Sequence, residues 1–326
     1  MVPCSRCGRP SVIHQRYSGL NLCAEHFEED VQRKIRETLR TYRIFSRGGR
    51  VAVALSGGKD SSVLLYTLKR IFSHRRDIEL IALMVDEGIS GYREDTLQNA
   101  AALADRLDVP HITLSFREEF GITIDEIAER DLHQAPCTYC GVMRKHLLNK
   151  RARELNAIAL ATGHNLDDEA QTILLNYLRG DVDRLFRLLP KRPKEGLVYR
   201  IKPLRRIPER EVAIYAMIHG IFPRGHGSCP NVPRAMRLEV KNILNEIEAR
   251  HPGTKYSILR GFDKIRELAP DIHVDLHRCE RCGEPAGGSV CKTCQLLEGF
   301  RAKPLSHKSK NSCPDVRLGS SAGQSE

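Results

Sequence analysis

The sequence predicts an α/β fold in which a parallel sheet with crossover helices stands between two small cysteine modules. Three observations predict it. From Val51 onward, short apolar runs rich in β-branched residues alternate with helical stretches, the order that parallel strands joined by crossover helices require. The first of these runs ends abruptly in Ser56-Gly-Gly58 before a helical pattern begins, which reads as a strand, a tight turn and a helix start. Paired cysteines recur at both ends with the spacing of metal-binding knuckles.

At 326 residues and 41% hydrophobic content, the chain has room for one substantial core plus smaller modules. Its net charge of +11 and pI near 9.2 point to a polyanionic partner. No stretch approaches the roughly 20 apolar residues of a membrane span. Met1-Val-Pro-Cys-Ser-Arg6 opens no signal-peptide hydrophobic region, so the expectation is a cytoplasmic protein without membrane contact. In that compartment eleven cysteines read as metal or redox chemistry, not as disulfides.

Residues 1–28 carry Cys4-x-x-Cys7, fifteen intervening residues, and Cys23-x-x-His26. Two close pairs on a hairpin-sized segment assemble a tetrahedral zinc site, and four good ligands leave no open position for catalysis. So few apolar residues could hardly fold alone; the metal would supply much of the module's stability. Phe27, Val31, Ile35, Leu39 and Tyr42 then recur at helical spacing, giving a connecting helix across 29–48 that Ser46-Arg-Gly-Gly49 ends.

The core, 49–222, opens with Val51-Ala-Val-Ala-Leu-Ser-Gly-Gly-Lys-Asp-Ser61. Gly57 and Gly58 lack a Cβ and let backbone N–H groups crowd around an anion, a nest suited to phosphate. Ser56 and Ser61 add hydroxyls, Lys59 a point charge, and the helix begun near Asp60 aims its positive end at the same place. Val63, Leu64, Leu65, Leu68 and Ile71 supply that helix's buried face. The Walker pattern is absent from the chain.

Further strands are expected at 79–85, 111–115 and 157–162, with a helix over 94–107. Ligands of open α/β sheets lie beyond the carboxyl ends of the strands. That gathers Ser56 to Ser61, Met84 to Asp86 and Gly163 to Asp168 around one crevice. In Thr162-Gly-His-Asn-Leu-Asp-Asp168, Gly163 allows close approach. Asp167 and Asp168 either cap the next helix or hold Mg²⁺ against nucleotide phosphates, with the second role favoured for Asp168. Leu166, Ala170, Ile173, Leu174, Tyr177 and Leu178 form the expected core stripe of that helix.

Cys137 and Cys140 stand at a helix entrance in Pro136-Cys-Thr-Tyr-Cys-Gly-Val-Met-Arg-Lys145, where the helix dipole favours thiolate. Cys229, in Gly225-His-Gly-Ser-Cys-Pro230, is the other cysteine outside the terminal modules and tail. Three cysteines can hold three irons of a cubane cluster and leave one iron open; a redox pair or a third zinc are the alternatives. Between 179 and 210, eleven Lys or Arg stand against four Asp or Glu, either a solvated face or a phosphate-contact surface. A helical extension over 223–275 includes an amphipathic helix, 233–250, with Val240, Ile243, Leu244 and Ile247 in its stripe, and a shorter one at 256–268. Cys279-x-x-Cys282, eight residues and Cys291-x-x-Cys294 make 276–300 a second zinc module. Residues 301–326, with Cys313, read as a disordered tail.

Ser56-Gly-Gly-Lys-Asp-Ser61 resembles the PP-loop of the ATP pyrophosphatase superfamily, which cleaves ATP between the α- and β-phosphates. The ordered set of Cys/His module, S-G-G-K-D-S, C-x-x-C-G, T-G-H-N-x-D-D, late third cysteine and four-cysteine module resembles the cytosolic tRNA uridine 2-thiolation enzymes of archaea and eukaryotes. The resemblance implies an ATP- and Mg²⁺-dependent tRNA sulfurtransferase with a PP-loop core between two zinc modules. It implies that Asp60 assists activation and that Ala54, Ser56, Gly57, Gly58, Lys59, Ser61, Met84, Gly163 and Asp168 line the ATP site, with Arg144 near the phosphates. It further implies that Cys137, Cys140 and Cys229 carry a [4Fe-4S] cluster.

Val85-Asp-Glu-Gly-Ile-Ser-Gly-Tyr-Arg93, Cys137 to Arg144, and Asn176-Tyr-Leu-Arg-Gly-Asp181 resemble the wobble-uridine branch more than the T-loop branch. The implied reaction adenylates O2 of the uridine, and sulfur then displaces AMP at C2. A thiocarboxylated ubiquitin-like protein, or another sulfide source, is the implied donor; a persulfide on Cys140 or Cys229 is the alternative route. The partners expected are tRNA and that donor, with room for a homodimer. A non-catalytic zinc scaffold for RNA would leave the PP-loop and central cysteines idle, and an amidotransferase-type PP-loop synthetase would leave the three cysteines unexplained.

Overall fold

Strands β1 (Ile13–Gln15) and β2 (Leu20–Leu22) form an antiparallel hairpin, and α1 (Ala24–Tyr42) starts directly after Cys23. The core then alternates: β3 (Gly49–Ala54), α2 (Lys59–Ile71), β4 (Ile78–Asp86), α3 (Arg93–Arg106) and β5 (His111–Ser115). Short helices α4 (Phe116–Phe120) and α5 (Ile124–Ala128) lead into α6 (Pro136–Glu154), β6 (Ala159–Ala161) and α7 (Leu166–Leu178). Next come α8 (Val182–Phe186), β7 (Arg200–Ile201), α9 (Glu209–Ile218), α10 (Met236–Arg250) and α11 (Thr254–Leu268). A small hairpin, β8 (His277–Arg278) and β9 (Pro285–Ala286), precedes α12 (Lys292–Arg301). This computed structural model describes residues 2–302 except 47, 131, 133, 187, 189–195, 224, 226–228, 232–235 and 269–275. The tail expectation and Cys313 lie outside the described residues.

The five core strands are parallel in the order β5-β4-β3-β6-β7. From β3 the chain steps outward to β4 and β5, then returns to β6 on the other side, so the strand order reverses around β3. Such a switch point opens a crevice at the carboxyl ends of the strands. Side chains alternate between two apolar layers, as strand geometry dictates. Val51, Val53, Leu80, Ala82 and Met84 face α1, α2, α3 and α9, whereas Ala52, Ile81, Leu83 and Val85 face α6. Each fully buried Val or Leu there contributes about 1.5–3 kcal/mol.

Both terminal modules are fastened to this core. Buried Glu211 of α9 accepts hydrogen bonds from Tyr17 (2.6 Å) and Gln15 (3.1 Å), and Lys34 bridges Glu211 to Asp30. At the other end, Arg153 of α6 holds Glu284 through both guanidinium nitrogens. Arg130 lies 3.7 Å over the Phe300 ring, and Leu296 and Phe300 join the apolar layer containing Tyr139 and Cys140.

Several sequence expectations need correction. Tyr177 and Leu178 are more than half exposed, because the last turn of α7 runs past the side chains of α10 and α11 that cover its earlier turns. Ile243 is also exposed; the covered stripe of α10 is Val240 and Leu244. The basic run at 179–210 hides β7 and buried pairs: Lys202 and Arg205 meet Glu169, and Arg205 also grips Asp263 with two nitrogens. Those two cations are neither a solvated face nor a phosphate surface.

Candidate active site

The turn after β3 is built by its own side chains. Gly57 adopts φ +83°, and a Cβ there would stand 1.9 Å from the Thr96 carbonyl oxygen, so only glycine fits. Ser61 Oγ accepts from the Ser56 N–H (3.1 Å) and lies 3.0 Å from Ser56 Oγ, which closes the loop. Gly163 packs against the start of α2, where its Cβ would meet the Asp60 carbonyl carbon and Ser61 N at 3.0 Å. The two informative turns are thereby brought into contact.

Asp60 Oδ1 accepts from Asn165 Nδ2 at 2.9 Å, and Asp60 Oδ2 pairs with Lys59 at 3.0 Å. Lys59 also meets Glu209 (3.1 Å). Burial works against its ammonium, but Asp60 and Glu209 outweigh this and raise its pKa. Asn165 caps α7, accepting from Asp168 N, while Asp168 returns a carboxylate oxygen to Asn165 N. Burial pushes Asp168 up to about 6, against that bond, and the Asp60 charge adds to the rise. Asp168 and Asp60 are thus neighbouring carboxylates, with Lys59 at Asp60 and Arg237 3.8 Å from Asp168 as their cations; oxygen donors of this kind are what Mg²⁺ takes. Asp167 is used otherwise, in a buried pair with Lys255 and as acceptor from Glu209 N (2.7 Å). Ala54 is half-buried at the strand end, and the Met84 side chain is buried in the apolar layer.

The cysteines at the start of α6 face the same region. Cys137 Sγ donates to the Asn231 carbonyl at 2.7 Å, and Cys229 packs on the apolar layer that includes Cys140. The 229–231 loop therefore folds back onto the helix entrance. Burial pushes both the Cys137 and Cys140 thiols up, which corrects the thiolate expected from the helix dipole alone. Arg144 opposes this at Cys140, donating to its Sγ at 2.7 Å. From there a chain of contacts returns to the nucleotide turn: Arg144 pairs with Glu87 (2.9 Å), Glu87 with Arg93 (2.7 Å), and Arg93 donates to the Ser56 carbonyl (2.8 Å).

Among the described residues, only the terminal sets gather their ligand atoms within 4.8 Å: Cys4, Cys7, Cys23 and His26, and Cys279, Cys282, Cys291 and Cys294. Contacts of 3.4–3.9 Å between these atoms match the edges of a tetrahedron around zinc, about 3.8 Å for Zn–S near 2.3 Å. In each set one thiol is already inclined to ionise. Burial opposes this, but backbone N–H donors hold Cys4 down at about 5 and Cys279 at about 6. Cys137, Cys140 and Cys229 are not among the sets that close to this distance.

A family model described as a PP-loop domain matches residues 27–222, and one described as the N-terminal LIM domain of 2-thiouridine synthetase TtuA matches residues 4–28. The tRNA 2-thiolation protein NcsA of Haloferax volcanii is 40% identical over 92% of this chain and 99% of its own length. The chain belongs to the PP-loop tRNA 2-thiolation family. Another relative, named tRNA-5-methyluridine(54) 2-sulfurtransferase, from Pyrococcus horikoshii, is 35% identical over 90% of this chain and 93% of its own. A solved structure, the U34-tRNA thiolase NcsA from Methanococcus maripaludis with its [4Fe-4S] cluster, superposes with a TM-score of 0.81 and 38% identity. It covers 92% of this chain and 97% of the other.

Four residues that organise the site of this tRNA 2-thiolation family member have roles that the motifs alone do not disclose: Asn165, Glu87 and Arg93, which lie inside motif stretches, and Glu209, which lies outside them. Asn165 had a local signal, since Asn three residues before Asp is a capping box. The other three lie on separate elements and meet the site only through folding. Lys145 is a further case. Burial lowers its pKa, and Arg200, Lys202, Arg144 and Arg184 lower it further, so positive charge converges beside the cysteine helix. Among the described residues, no helix is long and apolar enough to cross a membrane.

Proposed function

We propose that this chain is an ATP-dependent tRNA 2-thiouridine synthetase that replaces O2 of the wobble uridine with sulfur. The observation that carries the reading is the continuous set of contacts from the Ser56 carbonyl through Arg93, Glu87 and Arg144 to Cys140. It supports this reading because it links the turn that would cleave ATP to the cysteines that would handle sulfur, a link that neither a zinc scaffold nor an amidotransferase-type synthetase requires.

The turn amides, with Ser56 and Ser61, hold the ATP phosphates, and Asp60 and Asp168 hold Mg²⁺ beside them. Uridine O2 attacks the α-phosphate and pyrophosphate leaves, making a poor leaving oxygen into a good one. Sulfide then adds at C2, and AMP departs with the original oxygen. Cys137, Cys140 and Cys229 would hold a [4Fe-4S] cluster, which would supply iron chemistry for presenting sulfide to the activated carbon. The terminal sets hold two structural Zn²⁺. Lys145, Arg184 and Arg200 offer the phosphate backbone a cationic wall. A thiocarboxylated ubiquitin-like protein is the sulfur donor of this reading.

The test is nucleoside mass spectrometry of tRNA after anaerobic incubation with ATP, sulfide and the reconstituted protein. Expected are AMP release and 2-thiouridine at the wobble position. Thiolation at the T-loop would transfer the assignment to the other branch, and AMP release without sulfur would exclude it. Sedimentation of the pure protein distinguishes monomer from homodimer.

A further inference from the structure

Glu87 lies inside the Val85 to Arg93 stretch without a role assigned to it there, yet its carboxylate is almost fully buried and lies between two arginines that serve different parts of the site. Oε2 meets Arg93 Nε at 2.7 Å, and Oε1 meets Arg144 Nε at 2.9 Å. Its place is set by the turn after β4. Gly88 has φ +64° and packs so closely on Thr123 that a Cβ would lie 2.4 Å from Cγ2, while the Glu87 carbonyl accepts from Ile124 N at 2.9 Å.

The two arginines depend on Glu87 unequally. Arg93 is buried and has three other acceptors: the Val85 carbonyl (2.6 Å), the Ser56 carbonyl (2.8 Å) and Thr96 Oγ1 (2.8 Å). Arg144 keeps 44% of its side chain exposed, and among the described residues its bonds are to Glu87 and Cys140 Sγ. Without the Glu87 charge, Arg93 stays where three other bonds hold it, and the nucleotide turn keeps its support. Among the described residues, Arg144 is then left with the sulfur alone and is drawn toward water. A long arginine side chain at such exposure is held in one geometry only by bonds that offset its rotamer entropy.

We propose that Glu87 is the positioning residue for the sulfur-transfer half of the reaction. It fixes the Arg144 guanidinium against Cys140 in register with the nucleotide turn, so that the sulfur-bearing centre faces the carbon that ATP has activated. The inference rests on the function proposed above and adds to it a residue whose loss separates the two half-reactions. Adenylation draws on Ser56, Asp60 and the turn amides and proceeds; displacement of AMP by sulfide, which needs the centre aligned, slows. Water then adds at C2 in place of sulfide, AMP departs with the original oxygen, and the proton lost from water leaves the uridine carbonyl restored.

The experiment measures 2-thiouridine formed per AMP released, with reconstituted full-length protein, tRNA, ATP and sulfide under anaerobic conditions. The electron paramagnetic resonance of the reduced cluster is recorded alongside. Glu87→Gln is expected to keep iron content and AMP release close to the parent, to lower product per AMP by about tenfold or more, and to shift the resonance. Arg144→Lys, which supplies a point charge without the guanidinium fork, is expected to shift both readouts in the same direction. The double variant is expected to be no worse than the worse single one, since both substitutions remove the same contact. If Glu87→Gln does not fold, Glu87→Asp keeps the buried charge, loses the reach to Arg144, and is expected to show the same split. Parental product per AMP and parental resonance in a folded Glu87 variant would overturn the proposal, as would effects that multiply in the double variant. A parent protein that holds no iron and makes no 2-thiouridine would instead overturn the function itself, and the inference with it.

Discussion

The side-chain amide of Asn165 donates to Asp60 Oδ1 over 2.9 Å, joining the turn after β6 to the start of the helix after β3. The same side chain caps α7 by accepting from Asp168 N. Asn165 therefore does two jobs, and substitutions can part them. Asp at this position keeps the cap and removes the donor, placing a like charge against Asp60. Asn165→Asp should keep the cap, melt lower at neutral pH because of that added buried charge, and release AMP about 100-fold more slowly; Asn165→Ala should lose about 1 kcal/mol of stability with the cap. Thermal melts and an AMP assay on both variants check this, and parental AMP release from Asn165→Asp would show that Asp60 needs no such orientation.

Asp168 predicts a pH dependence of stability. Its folded pKa of about 6 lies above the ordinary 3.8, so the folded chain binds that proton more tightly than the unfolded chain does. Ionised Asp168 weakens the fold at neutral pH, and the penalty fades as pH falls through about 6. Asp168→Asn should raise Tm at about pH 7.5, and the gain should shrink toward about pH 5. A gain independent of pH would show that the buried charge is not its source.

At Gly57 a methyl group meets the Thr96 carbonyl oxygen at 1.9 Å on a backbone with φ +83°. Gly57→Ala must open the turn, withdrawing N–H donors from the phosphates. AMP release should fall about 10²–10³-fold, while tRNA binding, measured by filter retention, stays at the parent value.

Cys229 tests the cluster. Cys229→Ala should lose anaerobic iron absorbance and sulfur transfer together while retaining zinc and ATP binding, because those draw on other residues. Under persulfide chemistry the variant is also inactive. Iron is therefore the deciding measurement, and a full, stable cluster in Cys229→Ala would favour the persulfide route.

The terminal modules should differ in what their loss does. Structural zinc contributes about 10–16 kcal/mol of binding free energy in small modules, so removing one ligand unfolds its module. Cys7→Ser should cost one zinc and leave iron in place, since that hairpin docks on Glu211 and α9. Cys282→Ser should cost one zinc and loosen iron as well, because Leu296 and Phe300 pack in the layer that seats Tyr139 and Cys140. Metal analysis of the two variants, with equal iron in both, would show that α12 does not support the cysteine helix.

What the sequence determined by itself is local. The strand-turn-helix at Ser56 to Ser61, the ligand pairs of the terminal modules and the helix entrance at Cys137 are written within a few residues each, because glycine conformation, ligand spacing and helix starts act over one turn of chain. Strand identity faded where strands are short: β7 has two residues inside a basic run, and its burial comes from β6 beside it. The tertiary structure alone decided that Asp167 binds Lys255 while Asp168 stays at the crevice, that burial raises the cysteine thiols against the helix dipole, and that Glu87 joins Arg93 to Arg144. Charge pairing and desolvation depend on what else arrives at a point in space. That is set by the order of strands around β3 and by the folding back of the 229–231 loop, and no stretch of adjacent residues contains it.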